Sequence, residues 1–308
     1  MTSQTNHFQS KDQLTIHYHI WLPETTPKGI VQIAHGLAEH AARYKRFAEA
    51  LTKVGYAVYA NDHRGHGQSA GSLEKVGYFE STPFWDAALA DMQQLTGIIQ
   101  KEHTNLPIFL MGHSMGSLLS RAYISKWGKQ LNGAIICATG GDPGMLGKIG
   151  GVVAKLTAMI NGKTERSDFL NKLSFGKFND SFQPSRTEFD WLSRDEAEVD
   201  KYVADPYCGG TFTAGFWIDL LKGVTQINSS STYQATPKDL PIILLAGDKD
   251  PVGDMAKGVQ QVHEAYKKVN IQDLQCSIYP DARHELLNET NRDAIIQDIV
   301  NWLDQRVQ

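Results

Sequence analysis

Residues 106–123 read LPIFLMGHSMGSLLSRAY. An apolar run fit for a buried strand leads into Gly112-His113-Ser114-Met115-Gly116, and a run of small and apolar residues on helical spacing leads out. A five-residue G-x-S-x-G pattern is weak alone. A strand before it and a helix after it make it restrictive, because few chain paths turn that sharply. At such a turn the serine holds a strained backbone conformation and its hydroxyl is pushed clear of the sheet. Gly112 and Gly116 omit the Cβ atoms that would collide there. The amides behind Ser114 then open a helix, where negative charge is favoured.

The rest of the chain repeats the strand-then-helix rhythm. LTIHYHIW (14–21) alternates apolar and polar residues like a half-exposed strand, and GIVQIA (29–34), YAVYA (56–60) and GAIICA (133–138) read as buried strands. Helical spacing covers 39–53, 83–103 and 115–127, with Pro83 suited to a first helical turn. The rhythm resumes with PIILLA (241–246), a helix near 255–268, the strand LQCSIY (274–279) and a final helix near 290–305. This alternation predicts an α/β fold: a mostly parallel central sheet flanked by helices. Between 141 and 235 the rhythm stops. A structureless loop of that length is improbable, so the segment reads as an inserted, mainly helical cap. Residues 1–140 and 236–308 then form the sheet domain. Within the cap, MLGKIGGVVAKLTAMI (145–160) reads either as a helix packed on the sheet domain or as a lid helix whose apolar face meets an acyl chain or a membrane surface.

Several function classes drop out. The net charge of −4 and the absence of a Lys/Arg cluster give no nucleic-acid footprint. Cys137, Cys208 and Cys276 are odd in number and far apart, which suits neither a disulfide framework nor a Cys-based zinc site. MTSQTNHFQSKDQL is polar and lacks the apolar core of a signal peptide, and no run reaches a membrane-spanning length. A cytoplasmic, soluble protein is expected.

A serine hydroxyl needs a base to become nucleophilic, and the elbow arrangement orders the chain Ser, acid, His. Two histidines follow Ser114. His263 lies in QQVHEAYKK, inside an amphipathic helix. His284 follows a strand and the turn residues Pro280 and Asp281, at the sheet edge where such folds place their chemistry. It stands in HELLN, one residue short of the zinc signature H-E-x-x-H, since Asn288 occupies the second histidine's place. The acid is sought in PIILLAGDKDPVGD. Asp250 is favoured because Pro251 holds it extended and projecting. Asp248 remains an alternative that could instead satisfy turn amides, and Asp254 reads as a helix N-cap. Oxyanion donors are expected at the backbone amides of Met115, just after the nucleophile, and Leu37, in the loop His35-Gly36-Leu37. His63 and His66 in NDHRGHGQS are three apart without a further ligand at metal spacing, so they read as a polar-network loop. GHGQS lacks the spacing of a dinucleotide fingerprint.

HGLAEH, DHRGHGQS, GHSMG, GDKDPV and the loop around His284 occur in an order that resembles the monoacylglycerol lipases and lysophospholipases of the α/β-hydrolase superfamily, the group labelled serine aminopeptidase-like. The resemblance spans about residues 14–305. It implies an α/β-hydrolase fold, a Ser114–Asp250–His284 triad, oxyanion amides at Leu37 and Met115, an acyl-admitting lid, and neither cofactor nor metal. The expected activity is hydrolysis of carboxylic esters: monoacyl lipids or short-to-medium acyl esters. Transient membrane-surface contact would run through the cap. Two rivals remain: an aminopeptidase on small peptides, although HGLAEH does not match the HGGPG-type loop such enzymes carry, and a non-catalytic ligand-binding scaffold.

Overall fold

The computed structural model describes residues 1–79 and 83–307. Eight strands form one sheet: β1 (Thr2–Gln9), β2 (Thr15–Leu22), β3 (Gly29–Ala34), β4 (Tyr56–Asn61), β5 (Ile108–His113), β6 (Gly133–Cys137), β7 (Ile242–Gly247) and β8 (Leu274–Tyr279), in the order β1-β2-β4-β3-β5-β6-β7-β8. β1 and β2 pair antiparallel and β2 joins β4 antiparallel, while β4 through β8 run parallel. Five helices wrap the sheet: α1 (Lys45–Lys53), α2 (Phe84–Glu102), α3 (Met115–Trp127), α9 (Lys257–Lys268) and α10 (Arg292–Asp304). Five more fill the insertion between β6 and β7: α4 (Gly144–Asn161), α5 (Asp168–Phe175), α6 (Glu196–Ala204), α7 (Ala214–Ile227) and α8 (Ser230–Ala235).

The two-residue period of a strand divides the core. Leu110, Ile136 and Leu244 point to the face covered by Leu89, Leu95, Leu119 and Val259. Phe109, Met111, Ile135 and Leu245 point to the opposite face, against Phe47 and Leu51 of α1 and Ile299 and Leu303 of α10. The chain leaves β3 toward β4 on one side, and β5 lies on the other. The loops after β3 and β5 therefore frame a crevice at the switch in strand order, where α/β sheets bind ligands.

The structure departs from sequence expectation at three small places. The polar N-terminal segment forms β1, in which only Phe8 is buried. Both faces of this edge strand are wet, so no hydrophobic period betrays it; backbone pairing to β2 holds it. Pro83 caps α2 from outside rather than entering its first turn. Asp254 does not cap α9 with its side chain. It has φ +49°, α9 starts after Ala256, and the Asp254 carboxylate pairs with Lys257 at 3.3 Å.

Candidate active site

Ser114 follows β5 directly, with φ 52° and ψ −121°. For a residue with a Cβ that backbone conformation costs on the order of 1–3 kcal/mol. The cost is met by packing. The Ser114 amide donates to the Cys137 carbonyl (3.0 Å), and the Ser114 carbonyl accepts from the Ser117 hydroxyl and the Ser117 and Leu118 amides. Gly116 presses against β3 so closely that a Cβ there would lie 2.0 Å from the Ala34 carbonyl oxygen. Only glycine lets α3 begin at this depth. Ser114 itself remains half-buried.

Asp250 lies three residues beyond β7 and His284 five beyond β8. His284 Nδ1 hydrogen-bonds Asp250 Oδ1 at 2.9 Å, with both side chains buried. The same oxygen accepts the Val252 amide at 2.9 Å, so the turn itself aims the carboxylate. Burial alone would push the His284 pKa down, but the Asp250 charge and its hydrogen bond outweigh that and raise it above the ordinary 6.5. Asp248 turns elsewhere and accepts the Asp281 amide at 2.7 Å. His263 sits on α9, beside Glu264 at 3.5 Å. Ser114 and His284 make no hydrogen bond in this structure. The His113 ring, next to Ser114 in the chain, lies 4.7 Å from the His284 ring.

The loop after β3 reaches Ser114 from the other side. A Cβ on Gly36 would lie 3.3 Å from the Ser114 Cβ. Among the described residues no hydrogen bond within the chain uses the Leu37 or Met115 amides, so both remain available to an oxyanion. His35 fixes this loop. Its Nδ1 donates to the Gly36 carbonyl (2.7 Å) and its Nε2 accepts the His63 amide (2.8 Å), tying the loop after β3 to the loop after β4. Only a neutral imidazole can do both. Burial and the neighbouring histidines press the His35 pKa well below its ordinary value, His63 falls to about 3 and His66 to about 4. His63 and His66 pack with His35 and Phe212 as a neutral cluster.

Sequence reasoning left Glu285 without a role and did not single out Glu39, Arg43, His113 or Trp191. Arg43 reaches both Glu285 oxygens (2.6 and 2.8 Å) and Glu39 Oε2 (2.7 Å). Glu39 Oε1 accepts the Gly36 amide (2.6 Å) and the Tyr44 hydroxyl (2.8 Å). One buried network thus holds the loop that bears Leu37 and the loop that bears His284. Burial raises the Glu285 pKa, but Arg43 reverses the effect and holds it at about 2. The signal was present as Glu39 and Arg43 four apart and as the dipeptide His284-Glu285; the partner 242 residues away was invisible. Breaking a buried pair costs about 3–5 kcal/mol when the surviving charge is uncompensated. Glu39 still neutralises Arg43 in Glu285→Gln, so the expected loss of stability falls below that range, with a drop in turnover. Denaturant unfolding beside kinetics would check it; unchanged stability would contradict the network's role.

The insertion closes over these loops. The His284 and Glu285 amides donate to the Trp191 and Leu192 carbonyls, and the Trp191 ring stands 5.1 Å from the His284 ring. The Tyr202 hydroxyl (2.9 Å) and the Gly209 amide (3.0 Å) both donate to the Ala38 carbonyl. Four aromatic residues of the insertion, Phe175, Phe178, Phe182 and Phe189, cluster around Trp191 and Tyr202. α4 rests on α7, burying only Ala154 and Ala158. Val153 packs half-buried against the core, while Met145 is 70% exposed, Leu146 79%, Met159 81% and Ile160 82%. Of the two readings of this segment, packing through small residues on α7 leaves the large apolar side chains unburied. No helix among the described residues is long and apolar enough to cross a membrane.

A model of the family described as serine aminopeptidase, S33, matches residues 25–291. The chain is 29% identical over 303 residues to a monoacylglycerol lipase of Mycolicibacterium smegmatis, covering 98% of this chain and 97% of that one. It is 29% identical over 306 residues to the monoglyceride lipase of Homo sapiens, covering 97% and 90%. In three dimensions it resembles a thermostable carboxyl esterase from Bacillus coagulans solved with glycerol, at TM-score 0.93 and 28% identity over the full length of both chains.

Proposed function

The chain belongs to the serine aminopeptidase S33 family and is a serine hydrolase with the α/β-hydrolase fold, and from this premise we propose that it cleaves carboxylic esters of the monoacylglycerol type through Ser114, His284 and Asp250. The observation that carries this reading is the buried 2.9 Å contact between His284 Nδ1 and Asp250 Oδ1, both delivered to the sheet edge that bears Ser114. Asp250 holds the proton on Nδ1, which leaves Nε2 free to accept one.

With an ester in the crevice, Nε2 takes the Ser114 proton as Oγ attacks the carbonyl carbon. The carbonyl oxygen becomes an oxyanion facing the Leu37 and Met115 amides, each such donor contributing about 2.7–4 kcal/mol. The imidazolium returns its proton to the departing alkoxide, so an alcohol leaves and an acyl-Ser114 remains. A water then repeats the sequence and releases the carboxylic acid. No step needs a metal or an organic cofactor.

The ester reading is favoured over aminopeptidase chemistry by the state of the nearby acids. An aminopeptidase needs a carboxylate free to receive the substrate ammonium. The oxygens of Glu39 and Glu285 are taken up by Arg43, Tyr44, Asn288 and the Gly36 amide. Relatives described as monoacylglycerol lipases point the same way. Hydrolysis rates across a chain-length series of monoacylglycerols and lysophospholipids, set beside aminoacyl amides, test this: the monoacylglycerols should be turned over at least tenfold faster than any amide, and the reverse order would overturn it.

Residues 141–235 act in this reading as the cap, and the outward apolar side of α4 gives it a surface for lipid. An exposed patch of this kind marks a contact site more often than it marks nothing. Leu146→Asp with Met159→Asp should reduce co-sedimentation with zwitterionic vesicles while leaving hydrolysis of a water-soluble short-chain ester near the parent rate. Equal vesicle binding would remove α4 from that role.

A further inference from the structure

We propose that His40, Asp205 and Cys208 form a binding site for a borderline-soft divalent cation of the Zn²⁺ class, bridging the loop that bears Leu37 to the insertion. The three side chains each offer one ligand atom, and these atoms all lie within 4.8 Å of one another. In chain order they are 165 residues or more apart on the His40 side, so only folding assembles them.

The local geometry explains why they converge. Asp205-Pro206-Tyr207-Cys208 is a four-residue turn closed by the Cys208 amide donating to the Asp205 carbonyl at 3.0 Å. Proline at its second position pre-sets the turn. Positions one and four of the turn therefore carry the carboxylate and the thiol to the same side. The Tyr207 amide donates to Asp205 Oδ1 at 2.9 Å, which directs Oδ2 toward His40. His40 arrives from the opposite side in an extended conformation, and its Nε2 lies 2.9 Å from Asp205 Oδ2. The Gly209 amide, donating to the Ala38 carbonyl at 3.0 Å, fixes the turn against the His40 loop.

Chemistry selects the ion. One nitrogen, one oxygen and one sulfur suit zinc, which takes all three and leaves a fourth tetrahedral position to water. Zn–N and Zn–O distances of about 2.0–2.2 Å and Zn–S of about 2.3 Å require ligand atoms about 3.3–3.6 Å apart. The present spacing needs the His40–Asp205 contact to open and Cys208 to draw inward, each by side-chain rotation. The surrounding charge permits a dication: Arg43 is already shared by Glu39 and Glu285, and Asp205 adds a further carboxylate. All three residues are partly exposed, so an ion has a path in. The ion would pin the insertion to the loop of the oxyanion amides, and a ligand that binds only the folded arrangement raises its stability.

The test uses Co²⁺ as a spectroscopic stand-in on the thiol-reduced full-length protein. One equivalent should produce a near-ultraviolet sulfur-to-cobalt charge-transfer band that Zn²⁺ displaces. Cys208→Ser should abolish the band while keeping metal-free ester hydrolysis, and His40→Gln should weaken binding at least about tenfold, the loss that even an outer partner's removal brings. Zn²⁺ should raise the melting temperature of the parent and not of Cys208→Ser. No sulfur band on the parent, or an equal band on Cys208→Ser, which would assign it to Cys137 or Cys276, overturns the site.

Discussion

Ser114→Ala is expected to lower hydrolysis of p-nitrophenyl esters and of the best monoacylglycerol by about 10⁶-fold in kcat, the scale of losing the nucleophile from a cooperating triad. The residual rate would come from water attacking an ester still held against the Leu37 and Met115 amides, and it should exceed the uncatalysed rate. The fold should survive. The Ser114 side chain makes no hydrogen bond among the described residues, is only half-buried, and holds its φ of 52° through backbone contacts that alanine retains. A surface-scale stability change of about 0.5 kcal/mol or less follows. Loss of labelling by a fluorophosphonate probe would accompany the loss of rate. Undiminished turnover in a folded variant would remove Ser114 from the chemistry and revive a non-catalytic scaffold.

The parts of this molecule that were legible in its sequence are those where one local constraint decides. The inner parallel strands are buried on both faces, so PIILLA is apolar throughout and GIVQIA is apolar but for Gln32, which makes both recognisable. The elbow is recognisable because strand, glycines and helix are contiguous. Asp250 and His284 could be nominated from their places after strands, since the topology delivers those loops to one edge. β1 was hidden because an edge strand with two wet faces has no apolar period. The insertion was legible as mainly helical, with a helix over 145–160, but how that helix packs was not. α4 packs through alanines and leaves its large residues out, the inverse of an ordinary amphipathic stripe. The Glu39–Arg43–Glu285 network and the His40–Asp205–Cys208 cluster escaped because contacts between residues more than 160 apart carry no spacing rule. The histidine-rich loop, read from its spacing as a polar network and not as a metal site, is a buried cluster whose depressed pKa values keep it neutral.

Replacing Asp250 and Asp248 separately by Asn tests the choice of acid, and the two variants should diverge by orders of magnitude. Asp250→Asn is nearly isosteric in a fully buried position. Its amide can turn its NH₂ toward His284 Nδ1, which drives the ring proton to Nε2, the wrong nitrogen to accept from Ser114. Such a tautomer error costs about 10⁴-fold in kcat. Asp248→Asn loses an exposed 3.7 Å pairing with Lys249 and keeps an oxygen to accept the Asp281 amide, so its kcat should stay within a few-fold of the parent. The pH profile gives a second, independent reading. Protonated His284 cannot act as base, so kcat/KM falls as pH drops through its pKa in the free enzyme. Asp250 raises that pKa above 6.5, placing the midpoint of the acid limb above the value of an ordinary histidine. In Asp250→Asn the burial that disfavours the imidazolium persists while the largest compensating charge is gone, leaving only Glu285 and Glu39, so the midpoint must move to lower pH. In Asp248→Asn it should not move. Should Asp248→Asn instead produce the large loss and the shifted limb, the carboxylate that orients His284 in solution is not the one 2.9 Å from it here, and the loop 247–254 must rearrange before catalysis.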